Sequence, residues 1–361
     1  MKNRHLLALI LALSPFSVHA QELSYEASGS LNGFYGYSEP SERYKKQNDN
    51  NTFTGAAEIN LSALYEFNAD TSAGLYLDLS HGFNKNNRTY NNGSWGKEIY
   101  SIIDSTYGRL MLGETYNTAY QFHQGIENLA PIDLTDFIIN PNNILTRNQT
   151  SHKTLNSTKI NTDGVAPKIS YITPEFYGSM LGFSYIDDIN NRRGLAKNEL
   201  HYNKKDGYVA SFYNNIDTKL ADIYTSVSYA EFRDKDKEYS ASIRLERGNW
   251  SLGGSYRKAY IDGTKNQISP SLADNYREGH AWDTGIGYKI GPYKMSLTYF
   301  NSKADNTDNE DEIIMLSNRY QYNKWLDVYL AFAHENYRGE DKSLDNNNKG
   351  YSFITGLGLN F

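Results

Sequence analysis

The residues that could do chemistry in this chain are charged and aromatic, and they recur at intervals of two. Glu26, Glu58, Glu66, Asp78, Glu246, Asp283 and Asp327 stand in runs where polar and apolar residues alternate, as do Arg244, Arg257, Lys289 and Lys294. They do not form a reaction centre. Nucleophilic catalysis by serine needs a histidine base beside it, and the chain has no G-x-S-x-G elbow. Nor does it have an H-E-x-x-H zinc site. His123 and His152 lie in one long polar stretch, and His81, His201, His280 and His334 lie near the ends of alternating runs. Ordinary rim and loop positions account for them. With no cysteine, thiol nucleophiles, Cys-ligated metals and disulfides are excluded. The stretch DNTDNEDE (305–312) could attract Ca²⁺, but it lacks the glycine of an EF-hand loop and reads as a solvated acidic loop. The expectation is a protein that is not an enzyme and carries no cofactor.

A spacing of two belongs to strands. In 23–35, 57–67, 75–79, 239–245, 282–290, 293–299 and 326–332, apolar residues occupy one parity and polar residues the other. Period two with one apolar face marks a half-buried strand, and no segment shows a convincing helical period. The connections also alternate in length. Short ones lie at 68–70, 105–108, 173–178, 248–249 and 291–292. Long polar ones lie at 38–51, 84–96, 117–165, 261–279, 301–310 and 338–350. Short turns on one rim and long loops on the other is the layout of an outer-membrane barrel. About seventeen strand candidates can be counted, whereas an antiparallel barrel with both termini on one rim needs an even number. The weak region is 198–215, where either NELHYN is loop or GYVASFYN merges with its neighbour. The fold expected is therefore an all-β transmembrane antiparallel barrel of sixteen strands.

The bulk properties agree. The first twenty residues have a basic start (Lys2, Arg4), the apolar run 6–13 and the ending Val18-His19-Ala20, the pattern of a cleaved signal peptide. Residues 21–361 then form a single barrel domain. Removing Lys2 and Arg4 takes the formal charge from −6 to −8, which argues against a nucleic-acid partner. Mean hydropathy is −0.67, and no apolar run long enough for a helical span follows the signal. Barrel strands average out as polar because lipid-facing and water-facing residues alternate. The 31 Tyr and 28 Gly fit aromatic girdles and tight turns.

In a barrel, the polar parity faces the lumen. Charges there set ion preference at short range. Acidic residues outnumber basic ones among those named above, so a mild cation preference is expected.

The chain resembles the general trimeric porins of the Gram-negative outer membrane. The resemblance rests on the signal peptide, YEASGSLNGFYGY (25–37), STYGRLMLGETYN (105–117) followed by the longest loop, ISYITPEFYGSMLGFSYI (169–186) and the terminal Phe361. It implies a homotrimer in outer-membrane lipid and lipopolysaccharide. It also implies passive diffusion of small hydrophilic solutes, and a long third loop folded into the lumen. Within that loop, the resemblance picks out Glu127, Asp133 and Asp136 as constriction residues. The family's facing wall cluster is basic, and one member often follows the Leu-Gly of the fifth strand. Here that position is Glu114. Glu114, Glu58, Asp78, Arg244, Arg257 and Lys289 are the wall candidates. The family's PEFGG is absent from the third loop, and PEFYG (174–178) sits in a later turn. Phe361 resembles the family's signal for the outer-membrane assembly machinery. Two other readings stay open. One is a solute-selective channel, such as one for oligosaccharides, with inward Tyr76, Tyr224 and Tyr329 stacking on sugars. The other is a secreted soluble β adhesin.

Overall fold

The computed structural model describes residues 22–40, 51–84, 98–125, 154–188, 206–232, 236–260, 278–305, 308–339 and 347–361. The expected signal peptide (1–20) and the segment NELHYN (198–203) lie outside the described residues. No helix among the described residues is long and apolar enough to cross a membrane. The chain crosses with strands instead. In chain order they are β1 (Glu22–Pro40), β2 (Asn51–Asn68), β3 (Thr71–Asn84), β4 (Glu98–Ser105), β5 (Gly108–Glu114), β6 (Pro167–Ile172), β7 (Ser179–Ile186) and β8 (Gly207–Asp217). Then follow β9 (Asp222–Phe232), β10 (Asp236–Arg247), β11 (Trp250–Tyr260), β12 (Gly279–Ile290), β13 (Tyr293–Ala304), β14 (Glu310–Gln321), β15 (Leu326–Arg338) and β16 (Asn348–Asn360). Every strand pairs antiparallel with its sequence neighbours, and β1 pairs with β16, closing a sixteen-stranded barrel. GYVASFYN is part of one regular strand, β8, which resolves the surplus candidate.

Closure removes the edges that hydrocarbon cannot satisfy. At the seam, Ser30 to Pro40 pair with Asn360 to Gly350. Phe361 extends it: its N–H donates to Gly29 O at 3.0 Å, and Gly29 N–H donates to Phe361 O at 2.8 Å. Phe353, Leu357, Leu359 and Phe361 are exposed on the outer surface, while Ser352, Gly356 and Gly358 are buried on the inner one.

Seven short turns (69–70, 106–107, 173–178, 218–221, 248–249, 291–292 and 322–325) share one rim. The opposite rim is less uniformly long than expected. β13 runs on to Ala304, so the connection to β14 is only 305–309, and β9 joins β10 through 233–235. Glu310, Asp311 and Glu312 of the expected acidic loop therefore belong to β14. There Glu312 accepts hydrogen bonds from Tyr299, Asn336 and Arg338.

One turn shows how the local sequence fixes a hairpin. Phe176 and Ser179 exchange both backbone hydrogen bonds, at 2.9 and 3.0 Å. Between them Tyr177 has φ +50° and Gly178 φ +76°, the left-handed pair of a type I′ turn. A Cβ at Gly178 would sit 2.0 Å from Asn215 O. Gly178→Ala should therefore destabilise the barrel by at least about 1–2 kcal/mol, the cost of left-handed backbone for a residue with a Cβ. The measurement is the temperature at which the folded band is lost on semi-native gels, which should fall.

Candidate functional site

The described parts of the third loop, 115–125 and 154–166, lie inside the barrel against its inner wall. The first limb is held by hydroxyls. A short helix, α1 (Thr118–Phe122), is capped by Asn117, whose side chain accepts from Tyr120 N–H at 2.9 Å. Thr118 N–H donates to Ser184 Oγ at 3.0 Å, Thr118 Oγ1 meets Ser211 Oγ at 2.9 Å, and Gln124 N–H donates to Ser242 Oγ at 2.8 Å. These serines sit on the inner faces of β7, β8 and β10. Gly182 lets the helix approach, because a Cβ there would lie 2.7 Å from Thr118 Cβ. Phe122 packs with the inward Met111 and Ile172, flanked by Met180 and Tyr213. Five residues are too few to show a helical period, so the sequence gives no sign of α1.

The return limb is held by buried charge. Arg257 is fully buried, and its Nε and Nη2 donate to Glu238 Oε2 at 3.0 and 2.7 Å. Nη1 donates to Ser157 O (3.3 Å) and Asn161 Oδ1 (3.2 Å), Nη2 also donates to Thr162 Oγ1 (3.0 Å), and Thr162 in turn donates to Glu238 Oε1. A second node is Asp283, which accepts from Thr158 Oγ1 and Ser255 Oγ, each at 2.6 Å. His123 Nε2 is 3.3 Å from Thr158 Oγ1. The Thr158 proton is committed to Asp283, so this contact needs the hydrogen on His123 Nε2. At the third node Lys168 and Asp163, both with fully buried side chains, pair at 2.7 Å. Asp163 also accepts from Asn117 Nδ2 at 2.5 Å, and Lys168 donates to Thr115 O and Gly164 O. Asn117 thereby ties the start of the loop to its end. Finally, Leu155 is buried in an apolar patch on the inner wall made by Ala259, Ala281, Phe300, Ile313, Met315, Ala331, Ala333 and Ile354.

Between the limbs is a cleft of about 400 Å³ lined by Glu98, Tyr100, Tyr116, Tyr120, Gln121, His123 and Lys159, among others. Tyr116 and Tyr120 stack at 4.0 Å, Tyr76 and Tyr100 at 5.3 Å. Glu98 Oε1 accepts from Tyr116 N–H at 3.0 Å. Burial pushes the Tyr116 phenol well up from its ordinary value, and the neighbouring Tyr120 and Glu98 add to this.

The expected residues fare unevenly. Register places Glu26, Glu58, Glu66, Asp78, Arg244, Glu246, Lys289, Lys294 and Asp327 on the inner face. Inward Tyr76, Tyr224 and Tyr329 are there too. Two readings need correction. Arg257 and Asp283 are on the inner wall, but the loop covers them, so their charges meet protein rather than passing solute. Glu114 pairs with the exposed, outward Ile99 rather than joining the lumen register, and one of its carboxylate oxygens is buried. It follows Gly113, whose φ of +140° interrupts ordinary strand geometry, which alternation in sequence does not reveal. His123 does lie in the third loop, buried in its hydrogen-bond network. Glu127, Asp133 and Asp136 lie outside the described residues. Sequence reasoning missed Glu238, Lys168 and Asp163. Their only signal is formal charge in otherwise unremarkable strand and loop positions.

A closed sixteen-stranded barrel with an apolar exterior, a polar interior and a long segment inside it defines a pore-forming protein of the outer membrane. Residues 7–340 match the family of Gram-negative porins, and the chain belongs to that family. Solved structures share the fold at low identity. An anion-selective porin from Comamonas acidovorans matches at 14% identity and TM-score 0.62, over 94% of this chain and 100% of that one. In-vitro folded OmpT, an outer membrane protein of Vibrio cholerae, matches at 12% and 0.60, over 97% and 99%. A mutant of the Rh. blastica porin matches at 11% and 0.56, over 94% and 100%. Among curated proteins no sequence matches the chain.

The Arg257–Glu238 node generates a test. Arg257→Met leaves Glu238 buried without its cation, and breaking a buried pair in this way costs about 3–5 kcal/mol. Urea unfolding of the refolded protein in detergent should show that loss. Adding Glu238→Met should restore most of it, because the orphaned charge is then gone.

Proposed function

We propose that the chain is a homotrimeric diffusion channel in which ions and small hydrophilic solutes are filtered by size and charge at the inserted third loop. The observation that carries the reading is the double anchoring of that loop. Both of its described limbs are bonded to the inner wall, from Ser184 on β7 to Asp283 on β12, so the segment occupies lumen space at a fixed position. Trimer formation is supported by the Vibrio cholerae OmpT structure described as a trimer form. The outward Leu, Ile, Phe and Tyr side chains suit contact with outer-membrane lipid and lipopolysaccharide.

Charge preference follows the wall. Glu26, Glu58, Glu66 and Glu98 gather on the inner faces of β1, β2 and β4, with Asp78 buried beside them on β3. Carboxylates that line a narrow aqueous path favour cations. Reversal potentials across planar bilayers under a KCl gradient should show a mild cation preference; clear anion selectivity would sink this part of the proposal. Three equal conductance steps per insertion are expected of a trimer.

The tyrosine-lined cleft favours one second reading, a channel with affinity for sugars. The cleft's Tyr100 and Tyr116 are the candidate surfaces for pyranose rings, since the Tyr120 ring lies between Tyr116 and the Lys159 ammonium, 4.8 Å from its centroid. Liposome swelling separates the two readings. Rates that fall smoothly with sugar size indicate a general diffusion channel, and saturable uptake of one sugar indicates the selective one.

Assembly has its own test. Phe361 completes the seam by its backbone and exposes its ring, as suits recognition by the assembly machinery before closure. Deleting Phe361 should reduce folded trimer in the membrane several-fold on semi-native gels; unchanged levels would refute the role.

A further inference from the structure

The lumen has a second cleft, on the other side of α1. β4 runs from the long-loop rim to the short-turn rim, so Glu98 and Tyr100 line the first cleft while Asp104 and Ser105 line the second. Its volume is about 520 Å³, and Thr173 and Pro174 place it at the mouth with the short turns. An apolar floor with a few polar groups, in a cleft of this size, is the usual form of a small-molecule site.

A register row builds the cleft. Asp104 of β4 pairs with Arg109 of β5, Arg109 with Ile172 of β6, and Ile172 with Gly182 of β7. Directly opposed side chains are neighbours on one face of a sheet, so an ion pair stands next to an apolar residue. Gly182 ends the row without a side chain, and the Phe122 ring of α1 lies over it, 3.0 Å from where a Cβ would be. Met180 and Tyr213, paired across β7 and β8, are half-buried and line the same cleft. The Phe122 and Tyr213 rings are 5.6 Å apart and tilted at 46°. The floor is thus apolar and partly aromatic.

The ion pair is open to solvent. Arg109 keeps 50% of its side chain exposed and Asp104 34%. Arg109 Nε and Nη2 donate to Asp104 Oδ1 (2.6 Å) and Oδ2 (3.2 Å). A guanidinium carries five N–H donors in a fixed fork. Asp104 takes one edge of it, and the edge formed by Nη1 and the second Nη2 hydrogen bonds to no protein group among the described residues.

We propose that this cleft binds α-amino acids with large apolar side chains, aromatic ones above all, as zwitterions. The solute carboxylate takes the open edge of Arg109, where fork geometry allows two parallel hydrogen bonds. Its ammonium, two bonds from the carboxylate carbon, falls beside Asp104. The solute side chain lies against Met180 and Tyr213, where an aromatic ring extends the tilted Phe122–Tyr213 pair. Charge selects this class over a simple carboxylic acid. Asp104 already neutralises Arg109, so a carboxylate alone adds an uncompensated negative charge beside Asp104, whereas a zwitterion leaves the group neutral. The placement in a conducting lumen rests on the channel reading; the binding does not.

L-Phenylalanine is the probe, added to refolded full-length protein in deuterated detergent and followed by saturation-transfer NMR. Wild type should bind it. Phenylalaninamide lacks the carboxylate, N-acetylphenylalanine lacks the ammonium, and alanine lacks the ring. Each should bind about tenfold more weakly or worse, the loss set by one charge-assisted hydrogen bond or one buried ring. The double variant Asp104→Asn, Arg109→Gln should show a similar loss, and Lys303→Gln, on the outward face of β13, should match wild type. Exposed ion pairs contribute little to stability, so the double variant should fold, and the three derivatives test the site on wild type in any case. In bilayers, L-phenylalanine added at the short-turn mouth should reduce KCl current at lower concentration than when added at the other mouth, and the double variant should lose that difference. No binding by wild type, equal binding of the derivatives, or undiminished binding by the double variant overturns the site. Binding with no channel activity overturns the channel reading and leaves the site standing. Open channels without binding do the reverse.

Discussion

Everything in this molecule depends on backbone hydrogen bonding in a medium that offers no substitute for it. In hydrocarbon an unpaired N–H or C=O costs several kcal/mol, so a sheet that spans the bilayer must close on itself. The β1–β16 seam does this, and the reciprocal bonds between Gly29 and Phe361 carry it to the last residue. Once the sheet is closed, the two faces of every strand are assigned together. The outer face must be apolar. The inner face is free to be anything that water or protein can satisfy.

The inner face uses that freedom in two ways. Around the third loop it behaves like a protein core. Serines, a buried Arg–Glu pair and an alanine-rich apolar patch receive the inserted limbs, and polar atoms there find protein partners rather than water. A buried ion pair is weak evidence for stability by itself. Its value here is positional: Arg257 reaches Glu238 on the wall and Ser157, Asn161 and Thr162 on the loop at once, which fixes one placement of the limb. Elsewhere the inner face behaves like a solvated surface. There, like charges are tolerated side by side, as where Lys294 pairs across the strands with Lys289 and Arg319, and acidic residues gather on the other wall.

Much of the architecture was legible in sequence. The alternation in 293–299 and 326–332 assigns the correct faces to β13 and β15. Gly178, Gly248 and Gly291 mark tight turns because their φ values are positive. The errors have local causes. β13 continues through Asn301-Ser302-Lys303-Ala304, a polar run that looks like loop but pairs with β12 and β14 on both sides. Glu114 was misassigned because its expected place came from a family position and not from the pairing of β5. Helix α1 is a single turn set by a cap and a wall contact.

The sequence by itself determined the class of fold, because period two and turn chemistry are short-range and survive any uncertainty about which strands meet. It also determined that the wall is charged and mostly acidic. Only the tertiary structure decided which charges are available. Arg257 and Lys289 look alike in sequence, each a cation on the polar parity of a strand. One is sealed under the loop against Glu238, and the other stands in the lumen beside Lys294. That difference arises from contacts between residues far apart in the chain, such as Arg257 with Ser157 and Thr158 with Asp283. Such pairings follow from barrel closure and loop insertion, and no spacing within a single strand encodes them.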